Sequence, residues 1–190
     1  MEKIVDYIFE MGLQKHVKRS GWWVAGVKDP ETIGEHSQRA AMIAYILAEL
    51  EGANPDKSAL ICMIHDIPEC RINDGHKIAN RYLDLKKGEE LAMKDQLALL
   101  PEKIAGRFNT IFKEYLDQSS KEGIIAKDAD YLECAFQAKE YIDIGYASTE
   151  DWINNVEKSL KTESARKLLK ILRRTDSKRW FTGLKKIGGR

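Results

Sequence analysis

Cysteine is scarce and unpaired in this sequence. Cys62, Cys70 and Cys134 are the only three, and none forms a CxxC pair. They are expected to be buried thiols in a reducing compartment, and a structural zinc site is not expected. Long hydrophobic runs are missing as well. The opening stretch MEKIVDYIFEMGLQK is interrupted by acidic residues and has no segment the length of a signal core or a membrane span. A cytoplasmic protein with no membrane partner is the expectation. Neither sign of charge dominates: 31 Lys and Arg stand against 30 Asp and Glu. There is no global pull towards nucleic acid, which is not an expected partner. Proline and glycine are few, at 4 and 13, while 43% of residues are hydrophobic and 32% charged. That balance suits a helix-rich globule and excludes disordered and collagen-like chains. A chain of 190 residues can build one domain with a sizeable core but would be cramped as two.

What is present is helical periodicity nearly throughout. Ile4, Ile8, Met11 and Gly12 share one face of a first helix, with Val5 and Phe9 beside them. A loop rich in Gly, Lys and Trp is predicted from about Lys15 to Asp29. Thr32-Ile33-Gly34-Glu35 is a capping-box pattern that starts a helix running to about Glu51. Asn54-Pro55 starts another, continuing as a buried run from Ala59 to Ile67. Pro68, which cannot donate a backbone hydrogen bond, should end or kink that helix just after His65-Asp66. Asn73-Asp74-Gly75 marks a turn. Further helices are predicted over Gly88–Leu100, Pro101–Gln118, Lys121–Gly145, Glu150–Leu160 and Glu163–Arg174. Ser119-x-x-Glu122 and Ser148-x-x-Asp151 resemble N-terminal caps. Strand signals are scarce, so the expected fold is all-α, a single globular helical bundle over residues 1–175. A basic tail over 176–190 follows, with Trp180 and Phe181 among its charges. It reads as a solvated tail with docked aromatics, or as a contact for phosphate or another subunit.

His65-Asp66 is the centre of the chemical argument. Neighbouring helical side chains point about 100° apart, so they converge on one ion only at a helix end or kink, which Pro68 would supply. His36, in the first turn of the capped helix, and Asp130, near the small residues Ala126 and Ala129, are the further donors. Two imidazoles and two carboxylates suit one divalent transition metal, Mn, Co, Fe, Ni, Cu or Zn, better than Ca or Mg. Taken singly, each of these residues reads equally as an ordinary polar group. Glu133 reads as a surface or supporting carboxylate outside the donor set.

The ordered set resembles a known superfamily. His36, then His65-Asp66, then Asp130, all on helices, is similar to the HD-domain metal-dependent phosphohydrolases, and within them to the 5′-deoxynucleotidases. Arg19-Ser20-Gly21-Trp22 matches that branch's Arg-x-Gly-Trp segment, and Pro30-Glu31-Thr32-Ile33-Gly34-Glu35-His36 its approach to the first His. His65-Asp66-Ile67-Pro68-Glu69 matches HDxxE, Asn73-Asp74 stands for Gly-Asp, and Asp130-Tyr131-Leu132-Glu133 matches D-x-L-E. The resemblance covers roughly Leu13 to Gly145. It departs at Pro68 inside HDxxE, at Asn73 in place of Gly, at the doubled Trp22-Trp23 and at the extra His76.

The resemblance implies roles. His36, His65, Asp66 and Asp130 would hold the metal. Glu69 would handle protons near the attacking water or leaving oxygen, and Asp74 would orient or activate the nucleophile. Arg19 would pair with the substrate phosphate through its planar fork, and Trp22 would pack near the sugar, with Trp23 as the alternative ring. The implied activity is hydrolysis of (deoxy)nucleoside 5′-monophosphates, with a nucleotide as substrate and a homodimer as the assembly. Two alternatives stay open. One is an HD hydrolase acting on a deoxynucleoside triphosphate, cyclic nucleotide or alarmone; the other is a non-catalytic nucleotide-binding module. A second metal is not expected, because binuclear members need two further His ligands and His16 is the one that remains.

Overall fold

The computed structural model describes residues 1–184. In chain order the helices are α1 (Glu2–Met11), α2 (Gly21–Val24), α3 (Ile33–Glu51), α4 (Pro55–Ile64), α5 (Glu69–Ile72), α6 (Leu85–Leu97), α7 (Glu102–Asp117), α8 (Lys121–Asp143), α9 (Glu150–Ser159) and α10 (Glu163–Leu172). Short 3₁₀ turns sit at Gly12–Lys15, Ala79–Arg81, Ala147–Thr149 and Arg179–Phe181. Among the described residues the one extended pairing is an isolated antiparallel bridge between Lys18 and Thr32. The fold is all-α.

Local chemistry starts the main helices. Thr32 and Glu35 form the full capping box of α3: Thr32 Oγ1 accepts the Glu35 N–H at 3.2 Å, and Glu35 Oε2 accepts the Thr32 N–H at 2.6 Å. Asn54 caps α4 ahead of Pro55, where a missing N–H costs nothing. α3 ends at Gly52, which adopts the left-handed conformation.

α3 and α8 form the centre, with α4 packed on both. Ala40, Ala44, Leu47 and Ala48 of α3 and Ile125, Ala126, Ala129, Leu132, Ala135 and Ala138 of α8 are wholly buried. The alanines let the two backbones approach closely, so short side chains can meet between the helices. Each fully buried Leu or Ile contributes roughly 1.5–3 kcal/mol relative to exposure. Asp128, also buried, accepts the Lys161 N–H and the Thr162 N–H and O–H. It thereby ties the start of α10 to the middle of α8.

Several expectations need correction. The segment expected as a loop from Lys15 to Asp29 contains α2, which buries Trp22, and the Lys18–Thr32 bridge lays the segment along the entry to α3. α4 ends at Ile64, before His65 rather than after Asp66, and the chain turns through residues 65–68 into α5. α6 begins at Leu85, capped by Asp84, three residues before the expected Gly88. α8 is capped by Ser120, not Ser119. Ser148 is not a cap; its hydroxyl bonds the Ala25 carbonyl at 2.9 Å. The apolar face read in the first helix is only half turned inward: Ile4 and Met11 are half-buried, with Met11 packed on the core, while Ile8 is 63% and Phe9 78% exposed and Tyr7 is buried. The physical reason is polar. Glu10, one turn from Tyr7, reaches Arg71 at 2.6 Å and Gln96 at 2.7 Å, and this draws its own side of α1 towards the body.

Of the tail expected over 176–190, Ser177 N–H bonds Asp143 Oδ2 at 2.8 Å and Trp180 is exposed. Positions 185–190 lie outside the described residues.

Candidate active site

Four side chains converge between α3, the turn after α4, and α8. His36 Nε2 lies 3.2 Å from Asp130 Oδ1 and 3.7 Å from Asp66 Oδ2. His65 Nε2 lies 3.1 Å from Asp66 Oδ1 and 3.9 Å from Asp130 Oδ1. Donors bound to one ion through bonds of about 2.1 Å sit roughly 3–4 Å apart, so this spacing is what a shared cation requires.

The remaining atoms of these residues are held from behind. His65 Nδ1–H donates to the Cys62 carbonyl at 2.7 Å, and His36 Nδ1–H donates to the Glu133 carboxylate. Both acceptors can only accept, so Nδ1 carries the proton of each neutral ring and Nε2 keeps a lone pair. Both Nε2 atoms are buried with no hydrogen-bond partner. Asp130 Oδ2 accepts from Tyr115 O–H at 2.6 Å and from the Lys127 ammonium at 3.0 Å, which turns Oδ1 to the centre. Glu133 is itself gripped by Arg39, from Nε at 2.8 Å and from a terminal nitrogen at 2.6 Å.

The electrostatics agree with the geometry. Burial and the nearby Arg19 push the His36 imidazole down, but Glu133 and Asp130 outweigh them and raise it well above its ordinary value. Burial alone would push Asp66 up; His65, Arg19 and His36 outweigh it and hold the carboxyl below the usual range. Asp130 behaves alike, with Lys127 and His36 overcoming burial. Positive charge is therefore favoured among these side chains, and a divalent cation can take the Nε2 lone pair in place of a proton. The donor set fits the metal.

Arg19 sits beside this cluster. One terminal nitrogen donates to Asp66 Oδ2 at 3.2 Å and lies 3.5 Å from Asp74 Oδ1; the other donates to Cys134 Sγ at 3.2 Å. Asp74 is further held by Ser20, through N–H at 2.6 Å and O–H at 2.8 Å. Glu69 is buried, and its Oε2 has no hydrogen-bond partner. Burial, then the charges of Asp66 and Asp74, raises its carboxyl well above the ordinary value. A cavity of about 570 Å³ opens alongside, lined by Gly75, Asn80, Arg81, Tyr82, Leu85 and Glu89 among others.

Trp22 is not brought to the cluster with an open ring. It is 2% exposed, stacked on Trp152 with centroids 5.1 Å apart and edge-on to Tyr141 at 5.2 Å. Its indole N–H donates to Glu31 at 3.0 Å, and the Glu31 carboxylate lies within 4.8 Å of Glu133 and of a His36 ring nitrogen. The ring of Trp22 is therefore buried, whereas Trp23 is 53% exposed.

The sequence pattern of the HD domain matches residues 11–172. The chain belongs to the HD-domain family. It is 32% identical over 142 residues to the 5′-deoxynucleotidase HDDC2 of Homo sapiens, covering 74% of this chain and 69% of that one. It is 28% identical over 181 residues to the 5′-deoxynucleotidase HDDC2 of Danio rerio, covering 87% and 90%. Among solved structures, a conserved hypothetical protein from Pyrococcus furiosus superposes with TM-score 0.75 at 30% identity over 90% of this chain and 99% of that one. The fold is also shared with a cyanophage S-2L HD phosphohydrolase bound to dA and one catalytic zinc ion, at TM-score 0.57 and 17% identity over 90% and 96%.

Several supports surround this HD-domain centre. Of the two roles open to Glu133, surface or supporting carboxylate, the structure shows the supporting one: it is wholly buried against His36. Its signal was its place three residues after Asp130, on the same helical face. Arg39, three residues after His36, carried the matching signal on α3. Tyr115 and Ser20 had none, because only tertiary packing brings them to Asp130 and Asp74.

Proposed function

We propose that residues 1–175 form a metal-dependent phosphomonoesterase that hydrolyses (deoxy)nucleoside 5′-monophosphates to nucleoside and inorganic phosphate. The observation that carries this reading is the pair of buried, unpartnered Nε2 atoms of His36 and His65, aimed at Asp66 and Asp130. The relatives named 5′-deoxynucleotidase support the substrate class.

His36, His65, Asp66 and Asp130 would hold one divalent ion, of the class Mn, Co, Fe, Ni, Cu or Zn. Bound there, such an ion supplies positive charge to the phosphate and makes water more acidic. The chain's own groups do the rest. Arg19 offers its planar fork to the phosphate oxygens beside Asp66. Asp74, fixed by Ser20, orients the attacking water and accepts its proton. Glu69, kept in its acid form by burial and two neighbouring carboxylates, gives a proton to the departing 5′-oxygen as the phosphorus–oxygen bond breaks. The cavity beside Gly75 and Glu89 has room for the nucleoside.

Two further parts of the reading rest on surface features. The outward Val5, Ile8 and Phe9 of α1 favour a homodimer. The three free thiols favour the cytoplasm, and among the described residues no helix is long and apolar enough to cross a membrane.

The test is phosphate release from ribo and deoxy 5′-monophosphates by chelator-stripped protein reloaded with Mn, Co, Zn or Mg, beside Asp66→Ala. Metal-dependent release abolished in the variant supports the reading. Release of pyrophosphate or triphosphate from longer nucleotides instead would overturn it in favour of another HD hydrolase. Metal-independent nucleotide binding without turnover would point to a binding module.

A further inference from the structure

Cys134 is four residues beyond Asp130 on α8, so the two side chains share a helical face. Its Sγ, a ring nitrogen of His36 and a carboxylate oxygen of Asp130 all lie within 4.8 Å of one another. Two donors on one ion are separated by at most about 4.4 Å when the bonds are near 2.3 Å to sulfur and 2.1 Å to nitrogen or oxygen. The three atoms are thus within roughly a few tenths of an ångström of what one ion spans. His36 Nε2, 3.2 Å from Asp130 Oδ1, is wholly buried and has no hydrogen-bond partner. The sulfur also accepts a hydrogen bond from the Arg19 guanidinium at 3.2 Å.

We propose that Cys134 is a further ligand of the metal centre, adding a soft sulfur donor to His36, His65, Asp66 and Asp130. The inference rests on the metal-site part of the proposed function and is independent of the substrate. On binding, the S–H bond breaks, the proton leaves to solvent and the sulfur electron pair goes to the cation; nothing is oxidised or reduced. A thiolate in the donor set shifts preference towards thiophilic ions such as Zn, Co and Cd and away from Mn and Mg. Without that cysteine the site is a plain nitrogen and oxygen site. Arg19 then has two tasks at this spot, one on the phosphate and one on the sulfur.

The experiment is optical and needs no substrate. The full chain is stripped with chelator and loaded with Co(II), alone and as Cys134→Ser and Asp66→Ala. Visible ligand-field bands report that cobalt occupies the His and Asp donors. A near-ultraviolet sulfur-to-cobalt band reports the thiolate. The expected result is both band sets in the parent, and ligand-field bands without the sulfur band in Cys134→Ser. Cd(II) affinity should fall about tenfold or more in that variant while Mn(II) affinity stays within about twofold. Ligand-field bands with no sulfur band in the parent overturn the inference and leave the metal site standing. A sulfur band that survives in Cys134→Ser comes from Cys62 or Cys70 and also overturns it. Absence of ligand-field bands overturns the metal site itself. Cys134→Ala replaces the serine variant if the latter does not fold.

Discussion

Glu133 of α8 accepts the Nδ1–H of His36 of α3, and neither side chain is exposed to solvent. This contact fixes the face that the imidazole turns to the centre. It also links the two central helices at the point where the donors meet. Glu133→Gln keeps the shape and removes the charge. Metal affinity should fall about 10- to 100-fold, with helix content unchanged by circular dichroism. Equal affinity of the variant and the parent in a cobalt titration would show that Glu133 does not position His36.

Asn73 adopts φ 64° and ψ 162°, a region that side-chain-bearing residues rarely enter. Asn73→Gly removes that strain, at the cost of a more flexible unfolded chain. A net gain of about 1 kcal/mol is expected, read as a higher midpoint in urea. A lower midpoint would mean that the Asn73 side chain contributes more than its backbone costs.

A Cβ on Gly123 would stand 2.3 Å from the backbone oxygen of Glu114. The obstacle is main chain, so α7 and α8 must move apart. Gly123→Ala should destabilise the fold by about 1–3 kcal/mol. Because α7 carries Tyr115, which holds Asp130, metal affinity should drop in the same variant. A variant as stable as the parent would show that the crossing can relax.

The pairing of Glu10 with Arg71 lowers the Glu10 carboxyl below its ordinary 4.5, with Gln96 adding to the effect against burial. A lowered folded-state value contributes stability that is fully present above the unfolded value and disappears as pH falls through the folded one. Glu10→Gln should therefore lose stability at neutral pH and show a shallower decline on acidification below 4.5. Urea midpoints across that range check it; parallel curves for variant and parent would refute the assignment.

The long helices, the capping box of α3, the start of α4 and the ordered set His36, His65-Asp66, Asp130 were legible because each is written in local residue chemistry. The all-α class followed from the same periodicity. What escaped depended on partners far away in the chain. The outward turn of Ile8 and Phe9 depends on Glu10 meeting Arg71 and Gln96. The burial of Trp22 depends on Trp152, on which its ring stacks and of which its place in the motif says nothing. Ser119 and Ser120 offer the same cap chemistry, and only the geometry of α8 selects the second. Tyr115 and Ser20, which hold Asp130 and Asp74, belong to no spacing at all.

The Asp128 contact to Lys161 and Thr162 also orders events in time. Asp130, the last of the proposed histidine and aspartate metal ligands in chain order, is synthesised before Lys161 and Thr162. Until those residues are added, the carboxylate two positions ahead of Asp130 lacks its three amide and hydroxyl donors. A nascent chain that already holds every ligand still lacks the segment that locks the middle of α8 in place. The segment from Lys161 onward, which supplies none of the proposed ligands, is thus the part whose synthesis completes the packing around them.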